Sequence, residues 1–174
     1  VDQAVIVPAQ PGPPLWWGRG MDAQGARRTV FMGEDMIHGY DDTFVQNPDK
    51  HPMSDLAQRL ADHGLSNARV GVELDNYYYS AAAHRALETS LPAAQFIDAT
   101  GLVNWQRAVK SPQEIEYMRR AAGIVEAMHA RIIEVAEPGM RKNDLVAEIY
   151  ATGIKGAHGH WGDYPAIVPM APSG

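Results

Sequence analysis

The chain has 174 residues, 45% apolar and 21% charged, with no cysteine and a formal charge of -6. That balance belongs to a globular chain and excludes the disordered and fibrous classes. The absent thiols exclude disulfides, thiolate metal sites and cysteine nucleophiles from these residues. The acidic balance offers no basic surface, so neither nucleic acid nor anionic lipid is an expected partner. No segment reaches the run of about 18 apolar residues that a membrane-crossing helix needs. Val1 to Val7 lacks the basic start and long apolar run of a signal peptide. An internal start to the chain and a cytoplasmic location are expected on that reading.

Val1 to Val7 has the short, β-branched character of a strand, and the proline-rich Pro8 to Pro14 suits a loop. Leu15-Trp16-Trp17 is the expected return strand. Met21 to Arg28 reads as a short helix or turn with Asp22 as N-cap, weakened by Gly25. Pro52 to His63 reads as a helix, with Met53, Leu56, Ala57 and Leu60 on one face and Gly64 at its stop. Arg69 to Leu74 and Gln95 to Asp98 are strand-like, and Ser80 to Thr89 between them is helical. Strands and helices in this alternation predict an α/β unit, with helices packed on a sheet.

The strongest local signal is Ser111-Pro112-Gln113-Glu114, which spells a capping box with proline at the first helical position. Behind it, Ile115, Met118, Ala122, Val125, Met128 (or His129) and Ile132 keep the spacing of a buried helical stripe to about Val135. Pro138-Gly139 ends it. A second helix is expected from about Asn143, as N-cap, to Ile154, with Leu145, Val146, Ile149 and Tyr150 as its apolar side. Gly153, Gly156, Gly159 and Gly162 are expected to break that helix. The boundary falls near Ala108, which divides the chain into domains 1–108 and 109–174.

No active site assembles from residue types alone. His158-Gly159-His160, with Asp163 nearby and His129 distant, invites a metal reading if the segment is extended, but also suits a plain surface loop. Trp16-Trp17 and Tyr77-Tyr78-Tyr79 are the kind of aromatic clusters that bury area in a core or interface, or line a pocket. Glu73 and Asp75 could act as general acid and base, although Asp75 before Asn76 also suits a turn cap. Arg27-Arg28 and Arg119-Arg120 read as solvated helix faces or ion-pair partners. Neither a phosphate-cradling glycine loop nor a GxSxG elbow is present.

The junction from Gly101 to Ala122, with Arg107-Ala108-Val109-Lys110-Ser111-Pro112-Gln113-Glu114-Ile115 at its centre, resembles the interdomain link of the creatinase, prolidase and aminopeptidase P family. Pro138 to Leu145 is similar to that family's link to its second catalytic-domain helix. Val70-Gly71-Val72-Glu73-Leu74-Asp75 is similar to a strand of its N-terminal domain. Trp17 to Ala26, His51-Pro52-Met53 and Gly162 to Pro169 are most similar to the ectoine-hydrolase branch.

The resemblance implies a creatinase-type N-terminal domain, a mixed sheet with flanking helices. The first helices of an α+β pita-bread domain would follow. It implies a homodimer and a small amidine or amide substrate, with hydrolytic opening of a cyclic amidine as the leading activity. Creatinase or Xaa-Pro peptidase chemistry and a non-catalytic binding module are the alternatives.

The family's usual opening segment does not precede Val1, and its Asp, His and Glu metal ligands fall beyond residue 174. No catalytic or metal-binding residue is therefore assigned within the chain, and no cofactor. The parent would be metal-independent in the ectoine branch, or carry two divalent metals in the peptidase branch. His160 and Tyr164 are the expected substrate-binding wall. The helices of residues 109–174 are also expected to lack the sheet that their stripes would cover, which favours association through that face.

Overall fold

The computed structural model describes residues 2–162 and 167–171. The chain divides into two compact units, Val1–Gln106 and Arg107–Gly174. In the first, β1 (Ala4–Ile6) lies antiparallel to β2 (Leu15–Arg19), pairing Ala4 with Trp17 and Ile6 with Leu15. From β2 the chain enters α1 (Gly20–Thr29) and returns as β3 (Ile37–Tyr40), parallel to β2 with Trp16 opposite Ile37. After α2 (Pro52–Asp62), a second parallel crossover joins β4 (Arg69–Val72), α3 (Ala81–Ser90) and β5 (Gln95–Asp98).

The expected α/β unit with flanking helices is present. Its described strands, however, form two ladders, β1-β2-β3 and β4-β5, where one sheet was anticipated. Strand β3 escapes the sequence pattern because His38 and Gly39 interrupt its apolar alternation, although Ile37 and Tyr40 are both buried. Helix α4 (Leu102–Ala108) was not anticipated either.

Successive side chains on a strand point to opposite faces, so Trp16 and Trp17 enter different cores. Trp17 is fully buried with Tyr40, Met53, Leu56, Leu60, Ala83, Leu87 and their neighbours, between β2-β3 and the helices α2 and α3. Trp16 packs on the other side with Ala23 and Ala26 of α1 and Ile37. Trp17 also meets Tyr40 with ring centroids 4.8 Å apart. Its indole N–H donates to Asp55 Oδ2 on α2 at 2.8 Å, which satisfies the one polar atom that its burial would strand.

The first crossover is tight. A β-carbon on Gly39 would lie 2.7 Å from Gly20 Cα, so β3 and the start of α1 meet backbone to backbone. Because β2 runs straight into α1, the N-cap position falls on Arg19, and Asp22 sits inside the first turn rather than capping it. Arg19 instead forms a two-pronged pair with Asp42, at 2.7 and 2.9 Å. That guanidinium holds the Asp42 carboxyl below the usual carboxylate range.

Helix α2 follows its expected stripe: Met53, Leu56, Ala57 and Leu60 are all buried. It stops where Gly64 takes φ 75°, with Leu65 N–H donating to Leu60 O and Gly64 N–H to Ala61 O.

In the second unit, α5 (Pro112–Val135) opens on the anticipated capping box. Ser111 Oγ accepts from Glu114 N–H at 3.3 Å, and Glu114 Oε2 accepts from Ser111 N–H at 2.7 Å. Helix α6 (Lys142–Lys155) packs against α5, tied by Arg131 to Glu148 at 2.8 and 3.0 Å.

Three expectations are corrected here. Of the predicted α5 stripe, Met118, Ala122 and Val125 are exposed, while the covered side runs through Gly123, Ile124, Ala127, Met128, Arg131, Ile132 and Val135. Small residues at 123 and 127 admit close neighbours, which rotates the packed face away from the larger Met118 and Val125. Asn143 lies inside α6, whose N-cap is Arg141, and Gly153 is buried in that helix rather than breaking it.

Two outcomes follow from this packing. Trp17→Ala empties the larger core of its central ring and leaves Asp55 without its donor, so chemical denaturation should show a loss of about 3–5 kcal/mol. Ser111→Ala should lower stability by about 1 kcal/mol through the lost cap. The Glu114 carboxyl is held below its ordinary 4.5, first by the Ser111 backbone N–H and then by the Ser111 hydroxyl. A depressed carboxylate contributes stability above its unfolded value and loses it as pH falls through the folded value. Helical circular dichroism of the wild type should therefore fall on acidification below about pH 4.5, and Glu114→Gln, which removes the titrating carboxyl, should flatten that dependence.

Candidate functional site

Helix α6 ends at Gly156, whose φ of 75° and ψ of -173° lie in a region open essentially to glycine alone. The chain then closes a two-residue turn. Ala157 N–H donates to His160 O and His160 N–H to Ala157 O, each at 2.9 Å. His158 and Gly159 at its tip both have positive φ, 54° and 76°, as the primed hairpin turn requires. Histidine is among the residues that tolerate this conformation.

The turn has a chemical consequence. His158-Gly159-His160 is not extended, so its two imidazoles do not share a side. The His158 ring covers Gly123 on α5, where an added β-carbon would come within 3.3 Å of Cδ2. His160, partly buried, lines an open groove of about 470 Å³ instead. Its walls are Tyr117, Arg120, Ala121 and Ile124 of α5, and Gly159 to Gly162 of the turn.

Arg120 is braced by Glu116 Oε1 at 2.9 Å and lies 5.8 Å from the Tyr117 ring centre. Tyr117 Oη accepts a hydrogen bond from Gln113 at 2.7 Å, and Trp161 stands 75% exposed at the rim. The groove therefore presents one cation, one imidazole and two aromatic faces, a set that suits a small flat polar ligand.

Of the two expected wall residues, His160 lies in this groove and Tyr164 falls outside the described residues, as does Asp163. Sequence reasoning missed Tyr117, Arg120 and Trp161. Arg120 was taken as a solvated ion-pair partner, which it is, while its far side faces the groove. The signal available was the spacing of Tyr117, Arg120 and Ile124 on one helical face.

Other candidates resolve as structural. Trp16 and Trp17 are core residues, whereas Tyr77 and Tyr78 are 100% and 86% exposed. Asn76, not Asp75, makes the turn after β4: its Oδ1 accepts from Tyr78 N–H at 2.9 Å. Tyr79 donates toward His84 Nδ1 at 3.0 Å, and its burial pushes its pKa up to about 12.

The solved structures that share this architecture set the class first. An Xaa-Pro dipeptidase from Bacillus anthracis aligns with a TM-score of 0.63 at 17% identity, covering 87% of this chain and 38% of that one. A prolidase from Thermococcus sibiricus aligns at 0.62 and 15% identity, over 87% and 37%. The fold is thus of the prolidase type. The chain belongs to the creatinase/prolidase N-terminal domain family, whose model matches residues 2–109, and the model of metallopeptidase family M24 matches residues 116–174.

Ectoine hydrolase of Halomonas elongata is 55% identical over all of this chain and 45% of its own length. An uncharacterized hydrolase/peptidase of Sinorhizobium fredii is 41% identical over 96% of this chain and 42% of its own. The chain therefore spans less than half the length of these relatives.

The metallopeptidase match raises the question of a metal. Among the described residues, no three His, Asp or Glu side chains are placed to hold one. The His158 ring lies against Gly123 while the turn sends His160 to the groove, so these two imidazoles do not converge on a shared ion.

Gly156→Ala would drive a β-carbon into the His160 carbonyl oxygen and the Trp161 backbone. It should cost upwards of about 1–3 kcal/mol by thermal denaturation and shift the His160 and Trp161 resonances, with α5 itself retained.

Proposed function

We propose that the protein to which this chain belongs hydrolyses a C–N bond of a small cyclic amidine, with ectoine as substrate. Identity of 55% to an ectoine hydrolase, sustained over the whole chain, carries this reading. In the reaction, water adds to the amidine carbon, a ring C–N bond breaks, and the departing nitrogen takes up a proton to leave an N-acetylated diaminobutyrate. The groove residues His160, Arg120 and Trp161 offer a wall against which a flat, charged ring can lie.

The domain division at 108/109 belongs to the same reading and is supported by the separate family matches on either side. So do a homodimer, a cytoplasmic location and, on the ectoine branch, chemistry without a metal. A second reading, Xaa-Pro peptide cleavage using two divalent metals, is favoured by the metallopeptidase match over 116–174.

The full-length protein should be incubated with ectoine, creatine and an Xaa-Pro dipeptide, each with and without chelator. Ectoine turnover that survives chelation supports the leading reading. Chelator-sensitive dipeptide cleavage without ectoine turnover overturns it in favour of the second, and absence of all three turnovers points to a binding module. His160→Ala should raise the KM for ectoine by about three- to tenfold with a smaller change in kcat, as expected for the loss of one substrate hydrogen bond.

A further inference from the structure

The seam between β3 and α2 holds an imidazole that the proposed chemistry does not use. His38 lies opposite Trp17 in the β2-β3 ladder and two residues before Tyr40, so all three side chains project toward α2. Around Trp17 and Tyr40 the seam is apolar, and the His38 ring is a polar group set into it. Its Nε2 is buried and has no hydrogen-bond partner among the described residues. His63, at the C-cap of α2, meets it edge-on with ring centroids 6.3 Å apart.

The groups around this ring determine what a proton on it would do. Arg59, His63 and Asp55 face it from α2, Asp35 faces it from the short 3-10 turn Glu34–Met36, and β2 sets the uncharged Trp17 opposite. Asp55 is already engaged: its Oδ2 accepts the Trp17 N–H at 2.8 Å and lies 4.0 Å from Arg59 Nε. A neutral imidazole leaves one polar atom unmet at Nε2. A second proton makes the ring a cation whose Nε2–H has no acceptor, beside a guanidinium that is always charged. Burial, followed by Arg59 and His63, holds the His38 pKa below its ordinary 6.5, against the weaker opposing pull of Asp55 and Asp35.

We propose that His38 is an acid-sensitive pin between β3 and α2: neutral, its ring packs the two together, and protonated, it drives the end of α2 that carries Arg59 and His63 off the strand. The opened chain binds the proton more readily than the closed one. Stability of the seam is therefore complete above about pH 6.5 and is lost as pH falls through that value toward the lower folded one. Trp17 and Asp55 lie on the same seam, so its opening admits water to the larger core. The device lies in the first unit and does not depend on the reaction proposed above.

The test is hydrogen exchange of the full-length protein on either side of the ordinary histidine range, at about pH 7.5 and about pH 5.5. Protection factors for α2 and α5 are compared in wild type, His38→Phe and His38→Gln. Across that step the wild-type amides of Leu56 to His63 should lose about three- to tenfold in protection, since one proton gives at most about tenfold per pH unit. Both variants, which cannot take the proton, should keep their α2 protection within about twofold. Helix α5, in the other unit, should lose less than α2 in the wild type. The two replacements differ in shape and polarity, so if one disrupts packing the other still reports. Wild-type α2 protection that stays flat, an acid loss in either folded variant equal to that of the wild type, or a wild-type loss as large in α5 as in α2 would each overturn the proposal.

Discussion

Two adjacent indoles govern the first unit. On β2 the pleat sends Trp16 and Trp17 to opposite faces, so one dipeptide anchors both hydrophobic clusters of the domain. Each ring is a large apolar surface removed from water, and the pair supplies more burial than any other two neighbouring positions there. Such burial is tolerable only because the Trp17 N–H finds Asp55. That single bond also fixes where α2 lies across the strands.

The second unit is organised differently. No residue of α5 is fully buried, and the helix is held by its capped start and by the clamp of Arg131 on Glu148. Burying that guanidinium's stem while pairing its head secures two helices without a large apolar interface. The Gly156 break and the His158-Gly159 tip then turn the chain back along α5. Backbone conformation, more than side-chain packing, determines that His160 faces the groove. The shape of the groove is thereby tied to glycines, which carry no chemistry of their own.

Much of this was legible beforehand, for identifiable reasons. The α2 stripe, the strands β2, β4 and β5 and the Ser111 capping box rest on short-range rules, and all appear in the structure. What failed depends on tertiary context. Asp22 looks like a cap until β2 is seen to run unbroken into α1. Met118 and Val125 look like core until Gly123 and Ala127 are seen to draw the neighbours to another side. The His-Gly-His run suggests alternating ligands only while its backbone is taken as extended. The groove was half legible: His160 could be singled out, whereas Arg120 and Tyr117 required knowing which side of α5 the turn approaches.

The closeness of β3 to the start of α1 makes the crossover unequal in what its two glycines tolerate. A β-carbon on Gly39 would press on the Gly20 backbone at 2.7 Å, where no flexible side chain can give way, whereas one on Gly20 would meet only the Tyr40 carbonyl oxygen at 3.3 Å. The crossover thus carries one strict constraint and one soft one, and a library that varied both positions would recover replacements at Gly20 that it loses at Gly39.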